Sequence, residues 1–481
     1  MTSIDIRHGD CLEVLRSMED NSVDSVTTDP PYGLSNTKPA QVADVLAAWV
    51  TGETEAVPAK KGGFMGKDWD SFVPPPAVWA ECLRVLKPGG HMAVFAGART
   101  QDLMGLSIRL AGFEIRDTLG WIYGSGFPKS MDVAKAIDRT QTVKVHRRCG
   151  EQVTEDPNKV SLYSYDTGEK TGYVAACLEC DEDLFHGEIE EVLASELRKV
   201  TGQGHAGAGF NAVKGFGAGT TTRGDVRSSQ TWEETEAFSP AARQWSGWGT
   251  ALKPAIEPII LARKPLDGTV AANVLAHGVG GLNIDASRVG SDGGTAAINF
   301  GETRGEMYGG GKGKPTNEIG KIGKGRFPAN VLLDEHAAKE MDEQSGWQKD
   351  GTAVNRNRSH DATPPGFDGG FRSVDRDDRT FGSGGGASRF FPVFKYQAKA
   401  PKKERPVIVR EDGTKVQHPT VKPVALMSWL VTLITPEGGT TLDPFAGTGT
   451  TLQAARDKGF AAIGVEQDED YIALIEQRLS A

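Results

Sequence analysis

Apolar residues alternate between the spacing of strands and the spacing of helices at both ends of the chain. Near the start, SIDIRHGD predicts a short strand that ends at Asp10, and CLEVLRSM carries the apolar spacing of a helix. The segment VDSVTTDPPY predicts a second strand followed by a stiff turn. AVWAECLRVLKPGG predicts a helix that is stopped by Pro88 and two glycines, and HMAVFAG predicts the next strand.

The C-terminal end repeats this alternation. PVALMSWLVTLIT predicts a helix, GTTLDPFAG a strand and loop, TTLQAARDKG a helix, AAIGVE a strand, and DEDYIALIEQRL a final helix. Strands that alternate with helices imply a mostly parallel, twisted sheet with helices on both faces. We therefore predict an α/β fold.

The middle of the chain, from about Thr140 to Lys399, loses this regular pattern. Glycine-rich stretches such as TGQGHAGAGFNAVKGFGAGTTTRG are typical of long loops. Islands of core-like sequence interrupt them: EPIILARK, AANVLAHGVGGLNIDASRV, FPANVLLDEHA and RFFPVFKYQAK. We interpret these islands as parts of one core that carries long loop-rich insertions. The predicted divisions are a first half of the core, an insertion, a return to the core, a loop-rich region and a second half of the core, over residues 1–139, 140–250, 251–290, 291–398 and 399–481.

Composition narrows the class of protein. The chain has 481 residues, 38% of them hydrophobic, and a mean hydropathy of -0.37, as in ordinary soluble proteins. It has no apolar run long enough for a membrane span and no apolar signal core at its start, so a cytoplasmic location is expected. Five cysteines argue against a disulfide scaffold. The formal net charge of -10 does not favour nucleic-acid binding, although phosphate contact needs only a local basic patch.

A glycine-rich loop, LDPFAGTGTT, lies between a predicted strand and a predicted helix. Gly447 and Gly449 allow a ligand to approach the backbone, and the N-terminus of the following helix is electropositive. A phosphate-binding P-loop would require a lysine after the last glycine, whereas Thr450 and Thr451 follow here. We therefore reject the P-loop interpretation.

Glu466 sharpens the interpretation of this loop. It ends the next predicted strand, about 20 residues further on, where an acid holds ribose hydroxyls in nucleotide-binding folds. An adenine nucleoside is therefore the predicted ligand. The alternative for Glu466 is an acid at the N-terminus of a helix, where it stabilises the helix dipole.

Three motifs in a fixed order resemble one enzyme family: DPPY after a strand, HPTVKP before a helix, and DPFAGTGT after that. The chain resembles DNA amino-methyltransferases that depend on S-adenosylmethionine, closely at both ends and only in the islands between them. The DPPY motif precedes the glycine loop, a permuted order that resembles the beta class. WIYGSGFPKS, KPAIEPIILARKP, GRFPANVLL and HPTVKPVALM resemble phage and prophage adenine methyltransferases. The resemblance implies a Rossmann-like methyltransferase fold with circularly permuted motif order.

The resemblance also implies a mechanism at Asp29, Pro30, Pro31 and Tyr32. The exocyclic amine of adenine is a poor nucleophile because its lone pair is delocalised into the ring. Asp29 would accept one amine hydrogen and the Pro30 carbonyl the other, which frees the lone pair for methylation. The prolines fix φ, and Tyr32 would stack on a base flipped out of the duplex. The alternative for this motif is a rigid turn.

Further positions carry over from the family. Asp10 resembles a residue at the adenine edge of the cofactor, although it is also placed to cap the next helix. Lys422 resembles the residue near the methionine carboxylate, with Thr420 beside it, and Pro423 is placed to start a helix. The positions that resemble those around the methionine and ribose are Asp443, Phe445, Gly447, Gly449 and Thr450. Gly33 and Leu34 would continue the base pocket, and FMGKDWD would close over the base, unless Trp69 is a core residue.

Two pairs of residues in the middle predict a structural zinc site. HRRC and CLEC place His146, Cys149, Cys177 and Cys180 as a tetrahedral ligand set. A metal would stabilise a segment that has few apolar residues for a core. The alternatives are unrelated cysteines or a redox pair.

Basic residues among glycines predict contact with double-stranded DNA. GGGKGKPTNEIGKIGKGR, AVNRNRSH and AKAPKKER contain lysines and arginines suited to phosphate contact, although such runs are often only solvated surface. They lie between the DPPY motif and the glycine loop, where the beta class has its target-recognition region. A homodimer is left open.

The leading prediction is an adenine-N6 DNA methyltransferase. Cytosine-N4 methylation uses the same amine chemistry, but serine usually stands there in place of Asp29. RNA or protein-glutamine methyltransferases usually have asparagine at that position and an unpermuted order. A non-catalytic DNA-binding relative is the third alternative. A cytosine-C5 enzyme would need a Pro-Cys pair, which does not occur in this chain.

Overall fold

A computed structural model of the chain describes most of both ends and part of the middle. The described residues are 3–35, 37–58, 70–124, 130–146, 153–154, 161–163, 170–173, 175–177, 183–184, 189–193, 200–205, 231–237, 239–289, 325–349, 352–353, 379–380, 384–394, 406–410, 412–418 and 420–480. They fall into two compact units. The larger unit comprises Met1–Gly126 and Ala255–Ala481, and the smaller comprises Phe127–Pro254.

The elements are numbered in chain order. The strands of the first part are β1 (Ile4–His8), β2 (Val23–Thr28), β3 (Leu86–Phe95), β4 (Glu114–Ile122), β5 (Thr142–His146), β6 (Val153–Thr154), β7 (Ser161–Tyr163), β8 (Lys170–Tyr173), β9 (Ala175–Cys177), β10 (Asp183–Leu184), β11 (Ile189–Leu193), β12 (Val200–His205) and β13 (Thr231–Thr235). The remaining strands are β14 (Ile256–Arg263), β15 (Val331–Asp334), β16 (Gln348–Lys349), β17 (Thr352–Ala353), β18 (Arg379–Thr380), β19 (Gly384–Gly385), β20 (Val393–Phe394), β21 (Ile408–Val409), β22 (Lys415–Val416), β23 (Thr440–Asp443) and β24 (Ala461–Glu466). The helices are α1 (Cys11–Arg16), α2 (Pro39–Thr51), α3 (Pro76–Val85), α4 (Gln101–Leu110), α5 (Val133–Asp138), α6 (Pro240–Gln244), α7 (Val270–His277), α8 (Glu335–Ser345), α9 (Val424–Ile434), α10 (Thr450–Lys458) and α11 (Glu469–Ser480).

A nine-stranded sheet organises the larger unit, in the order β1-β24-β23-β2-β3-β14-β4-β15-β20. All neighbouring pairs are parallel except those of β14, which runs antiparallel to both β3 and β4. The predicted α/β fold with a mostly parallel sheet is therefore confirmed. The sheet also joins both ends of the chain, because β2 from the start pairs with β23 from the end.

Strand β2 is the fourth of the nine strands in this sheet, and all six of its residues are buried. Four of them are polar, so each must find a hydrogen-bond partner inside the protein. The Ser25 and Thr435 hydroxyls lie 2.8 Å apart, and Asp24 accepts from the Lys87 ammonium at 2.6 Å. These polar contacts fix the strand that leads directly into the DPPY motif.

Apolar residues on helices cover the sheet. Helix α9 buries seven of its eleven residues, among them Leu426, Leu430 and Ile434. It packs against β2, β3 and α10. At about 1.5–3 kcal/mol for each large buried apolar side chain, this helix contributes substantially to the stability of the C-terminal half of the core.

The boundary between α3 and β3 differs from the prediction. The sequence analysis placed the end of the helix at Pro88, but α3 ends at Val85 and Leu86 already has extended backbone, with φ -76 and ψ 136. Pro88 and the two glycines after it lie in β3. Their backbone forms an irregularity within the strand, where Gly89 has φ +79 and donates its N–H to the Pro265 carbonyl at 3.2 Å.

Several core-like islands of the middle lie in the same sheet. EPIILARK supplies most of β14, VLLD within FPANVLLDEHA forms β15, and VF within RFFPVFKYQAK forms β20. These three islands are therefore strands of the same sheet as the two ends of the chain.

The smaller unit is described by short strand pairs and two helices. Ala134 of α5 and Ala242 of α6 pack together with Ala237, which precedes α6, and Ser239 donates to the buried Asp138 carboxylate at 2.7 Å. The sequence analysis predicted an insertion over 140–250, whereas this unit spans Phe127–Pro254. Within the described parts of the chain, no helix is both long and apolar enough to span a bilayer.

Candidate functional site

Four acids follow the carboxyl ends of adjacent parallel strands. Asp10 follows β1, Glu466 ends β24, Asp443 ends β23, and Asp29 follows β2. Since these strands are neighbours in the sheet, the four residues line one edge. In open α/β sheets, this edge is where ligands bind.

The Asp29 carboxylate is held by two partners. Its Oδ1 accepts from the Tyr32 hydroxyl at 2.8 Å, and its Oδ2 accepts from the Lys422 ammonium at 2.7 Å. Lys422 lies in HPTVKP near the other end of the chain, so the structure joins two of the three motifs directly. Its ammonium contacts the DPPY motif here, and a role at a cofactor carboxylate stays a prediction.

Glu257 completes this cluster from the start of β14. Its Oε2 lies 3.3 Å from the Lys422 ammonium and 3.4 Å from the Tyr32 hydroxyl. Burial lowers the pKa of Lys422, but the carboxylates of Asp29 and Glu257 outweigh burial, so the pKa lies above its ordinary value. The ammonium therefore stays charged. It also lies 5.3 Å from the centre of the Tyr32 ring and 4.8 Å from that of Phe95.

The phenol of Tyr32 also stays protonated. Burial, then the negative charges of Asp29 and Glu257, raise the pKa of Tyr32 well above its ordinary value. The hydroxyl is thus a donor at neutral pH, which is the role that its contact with Asp29 requires.

The backbone of the DPPY turn is held from both sides. The Thr100 hydroxyl donates to the Tyr32 carbonyl at 2.6 Å, and Gly33 N–H donates to the Asp70 carboxylate at 2.9 Å. Gly33 has φ +64, and a Cβ there would lie 2.6 Å from the backbone nitrogen of Val73. Glycine is therefore required, and Asp70 holds it in place. Asp70 is buried, and burial raises its pKa.

Asp443 ties the DPPY strand to the glycine loop. Its carboxylate accepts from the Thr28 hydroxyl at 2.7 Å, from the Thr451 hydroxyl at 2.5 Å and from Phe445 N–H at 3.1 Å. Burial raises the pKa of Asp443 to about 6, against the effect of these donors. The carboxylate thus links β2, β23 and α10.

Glu466 closes the glycine loop from β24. Its Oε2 accepts from Gly447 N–H at 2.8 Å, and its Oε1 accepts from the backbone N–H groups of Gln467 and Asp468, both at 2.9 Å. Burial raises the pKa of Glu466 to about 7, although these three donors act in the opposite direction. Of the two acids at this edge with clearly raised pKa values, Glu466 is the one closer to neutral pH.

The two glycines of the loop have different surroundings. Both have positive φ, +55 at Gly447 and +74 at Gly449. A Cβ at Gly449 would lie 2.9 Å from a methyl of Ile475, so glycine allows α11 to pack against the loop. A Cβ at Gly447 would meet nothing closer than His418 Nε2 at 3.8 Å, so the loop backbone is open on this side.

The other predicted positions lie around the same edge. Asp10 is the N-cap of α1, since its carboxylate accepts from Leu12 N–H at 2.9 Å, in agreement with one of its two predicted roles. Thr450 is the first residue of α10 and Thr420 is exposed. The Phe445 ring packs against Trp79, with ring centres 6.2 Å apart.

The turn residues complete the DPPY motif. Pro30 is buried, whereas Pro31 and Leu34 are partly buried. Trp69, for which the sequence left two roles open, lies outside the described residues.

The predicted zinc ligands also lie where the structure describes no side chains, so His146, Cys149, Cys177 and Cys180 stay a prediction. In the part of the chain that is described, no cluster of three or more His, Cys, Asp or Glu side chains is arranged to hold a metal ion.

Arg326, the last residue of the basic stretch GGGKGKPTNEIGKIGKGR that was predicted to contact phosphate, is buried in the protein instead. Arg326 is only 9% exposed, its guanidinium lies 5.0 Å from the Phe390 ring centre, and it donates to the Arg389 carbonyl at 3.1 Å. It belongs to the packing of the larger unit, and the prediction of a flexible phosphate contact at Arg326 was wrong. The lysines of the same glycine-rich stretch lie outside the described residues.

Three residues of the site were missed by the sequence analysis: Glu257, Asp70 and Thr100. Glu257 had a signal, since it is an acid at the start of an otherwise apolar strand next to Pro258. Asp70 stands at the end of FMGKDWD, a stretch that was noted but not for this residue. Thr100 has no sequence signal that we recognise.

A family profile matches the second half of the chain. The profile of a family described as DNA methylase matches residues 225–477, more than half of the 481-residue chain. The match contains Glu257, Lys422, Asp443 and Glu466, and Asp29 lies before it.

Two curated relatives match over short segments. One is the type II methyltransferase M.ScaI of Streptomyces caespitosus, 36% identical over 72 residues, which are 15% of this chain and 24% of that protein. The other is the type II methyltransferase M2.DpnII of Streptococcus pneumoniae, 38% identical over 65 residues, which are 14% of this chain and 24% of that protein. The chain thus spans about a quarter of the length of these relatives.

Among solved structures, the chain is similar to a protein of Thermus thermophilus described as a DNA modification methylase and solved with S-adenosyl-L-methionine. The TM-score is 0.33 at 15% identity, covering 99% of this chain and 95% of that one. It is also similar to the cytosine-N4-specific PvuII DNA methyltransferase, with a TM-score of 0.37 at 12% identity, covering 99% of this chain and 87% of that one.

Proposed function

The chain belongs to the DNA methylase family, and from that premise we propose that it transfers a methyl group from S-adenosylmethionine to the exocyclic N6 of adenine at a specific site in double-stranded DNA. The observation that carries the proposal is the placement of Asp29. Its carboxylate stands at the ligand-binding edge of the sheet, on a turn that is braced on both sides, two strands away from the Glu466 strand.

Asp29 supplies the acceptor that the chemistry needs. An adenine amine that donates one hydrogen to this carboxylate and the other to the Pro30 carbonyl is pulled towards tetrahedral geometry, and its lone pair becomes available. The two prolines and the contacts of Gly33 with Asp70 keep both acceptors in place, so little reorganisation is needed during transfer.

The amine must displace a contact that the free protein makes. In the structure, Asp29 Oδ1 accepts from the Tyr32 hydroxyl. A base that enters against the Tyr32 ring would take this acceptor position, while Lys422 keeps Oδ2. Tyr32 thus has two tasks, which are to hold the carboxylate in the free protein and to stack on the base when it enters.

The residues around Glu466 fit an adenosine-bearing cofactor. A carboxylate has about four acceptor positions, and Glu466 uses three of them on backbone N–H groups, which leaves one for a ribose hydroxyl. Gly447 exposes backbone beside it. S-adenosylmethionine would supply an activated methyl group, and Asp10, Phe445, Gly449 and Thr450 would line its site.

Adenine is favoured over cytosine by one residue. Both bases present an exocyclic amine, but the related cytosine-N4 motif usually has serine where this chain has Asp29. The carboxylate is a stronger acceptor than a hydroxyl. The permuted motif order and the placement of a target-recognition region in 291–398 are further parts of this proposal.

The test is a methylation assay with product analysis. The purified protein is incubated with tritiated S-adenosylmethionine and unmethylated plasmid DNA, and the DNA is then digested to nucleosides for mass spectrometry. N6-methyladenine is the expected product. N4-methylcytosine would refute the base assignment, and the absence of any methylated nucleoside despite cofactor binding would refute DNA methylation by this chain.

A further inference from the structure

Glu257 is the one member of the Asp29 cluster to which the mechanism so far gives no task. The cluster contains two carboxylates, Asp29 and Glu257, one ammonium, Lys422, and the neutral phenol of Tyr32. Its net charge is therefore one negative unit. Without Glu257, Lys422 would pair with Asp29 alone and the net charge would be zero.

The transfer step makes this difference important. In this step the amine nitrogen gives its lone pair to the methyl carbon, the carbon–sulfur bond breaks with its electrons on sulfur, and the amine loses one proton, finally to water. Positive charge stays close to the reacting atoms throughout, first on sulfur and then on nitrogen. Because the charge moves from sulfur towards the nitrogen beside Asp29, a negative base pocket stabilises the transition state more than the bound cofactor, and a neutral ion pair does so much less.

Resting on the proposed function, we infer that Glu257 is a positioning residue that shares the Lys422 ammonium with Asp29 and so keeps the base pocket negative for methyl transfer. The two distances are similar, 2.7 Å from the ammonium to Asp29 and 3.3 Å to Glu257, so neither carboxylate alone neutralises it. Glu257 acts through Lys422 and Tyr32, and nothing requires it to touch the base.

The position of Glu257 suits this task better than a purely structural one. It lies on β14, which is paired with strands on both sides, and its register partner on β4 is Trp121. The strand interior after Glu257 is apolar and buried. A stabilising role would be met there by an apolar residue, since ion pairs with buried members often stabilise less than apolar residues of the same size. Here the charge lies at the start of a paired strand, beside Lys422.

The experiment compares Glu257→Gln with the wild-type protein in two assays. Glutamine has the same shape, so only the charge changes. In single turnover with saturating cofactor and DNA, methyl transfer is expected to slow by roughly 10- to 100-fold. Affinities for cationic S-adenosylmethionine and neutral S-adenosylhomocysteine are measured without DNA by calorimetry. The preference for the cation is expected to fall by roughly 3- to 10-fold.

Two variants serve as controls. Glu257→Asp keeps the charge and is expected to recover most of the cation preference and of the transfer rate. Glu343→Gln removes one negative charge from an exposed position on α8, next to Lys339, and is expected to leave both assays unchanged. The affinity ratio does not depend on the fraction of folded protein, so it separates the charge effect from a loss of folding.

The outcomes separate the two proposals. Wild-type protein that prefers the cation but methylates no DNA would refute the proposed function and leave the charge of the pocket measurable. Normal wild-type transfer, with Glu257→Gln unchanged in rate and in affinity ratio, would overturn the inference alone. A Glu257→Gln variant that weakens both ligands equally would also overturn it, because a merely structural role predicts that result.

Discussion

The charge of Glu466 should make cofactor binding depend on pH. Burial raises the pKa of this carboxyl from 4.5 to about 7. The group is therefore protonated in the folded protein over much of the range where a free glutamate is ionised. A protonated carboxyl group donates a hydrogen bond through its O–H and is a poorer acceptor. It would therefore accept less well from the backbone N–H groups and ribose hydroxyls that the carboxylate binds. Affinity should be lost as pH falls through 7.

The magnitude follows from the titration. With a pKa of about 7, roughly nine tenths of Glu466 is ionised at pH 8 and roughly one tenth at pH 6. If only the ionised form binds, Kd for S-adenosylhomocysteine rises about 10-fold between these pH values. Below the pKa of Glu466, cofactor binding then releases a proton, because binding and deprotonation are linked. The ionisable groups close enough to interact with the charge of Glu466 include Cys11, Asp468 and Tyr471.

Isothermal titration calorimetry from pH 5.5 to 8.5 measures both the Kd and the number of protons released on binding. Buffers of different ionisation enthalpy give the number of protons released. Glu466→Gln is the matched variant, since it cannot ionise, and should bind weakly with a flat pH profile. Asp443, with a pKa of about 6, is the other raised acid nearby. A wild-type Kd that is constant from pH 8 to pH 6, or a slope that persists in Glu466→Gln, would refute the reasoning.

Three further predictions concern the braced loops. Asp29→Ala should slow methyl transfer by roughly 10³-fold or more while cofactor Kd changes less than about threefold, measured by single turnover and calorimetry; near-normal turnover would contradict the mechanism. Gly449→Ala should lower the free energy of unfolding in urea by about 2–3 kcal/mol, because the new Cβ would meet Ile475. Gly459→Ala should lower it by about 1 kcal/mol, because Gly459 has a similar positive φ but open space around it. Equal losses would count against the packing explanation. Asp70→Ala should lower the transfer rate more than cofactor affinity, because it releases Gly33, and an unchanged rate would show that the brace is dispensable.

Local signals in the sequence were enough to predict the two loops that form the site. Prolines follow β2 and glycines follow β23, and such residues favour turns because of their own backbone conformations. The acids Asp29 and Glu466 stand directly at strand ends, so their positions followed once the strands were predicted. The alternation of strands and helices predicted a parallel sheet, but it did not predict that β2 pairs with β23.

The partners of Lys422 could not be predicted in the same way. Glu257 reaches the Lys422 ammonium only because β14 enters the sheet between β3 and β4, antiparallel to both. Alternation of strands and helices predicts parallel neighbours, so it gives no signal for such a strand. The helix boundary at Val85 was missed for a related reason, since Pro88 and its glycines lie in a strand irregularity whose Gly89 donates to Pro265, in the segment after β14.

The two halves of the site are therefore parts of one rigid arrangement. Thr28 precedes Asp29 and donates to Asp443, which also holds the start of α10 through Thr451. A displacement of the glycine loop must strain the strand that carries Asp29, since their shared carboxylate is buried and leaving its partners unpaired costs about 1–3 kcal/mol each. The proposed methyl donor and the proposed acceptor of the amine are thus held to one geometry by the contacts of Asp443.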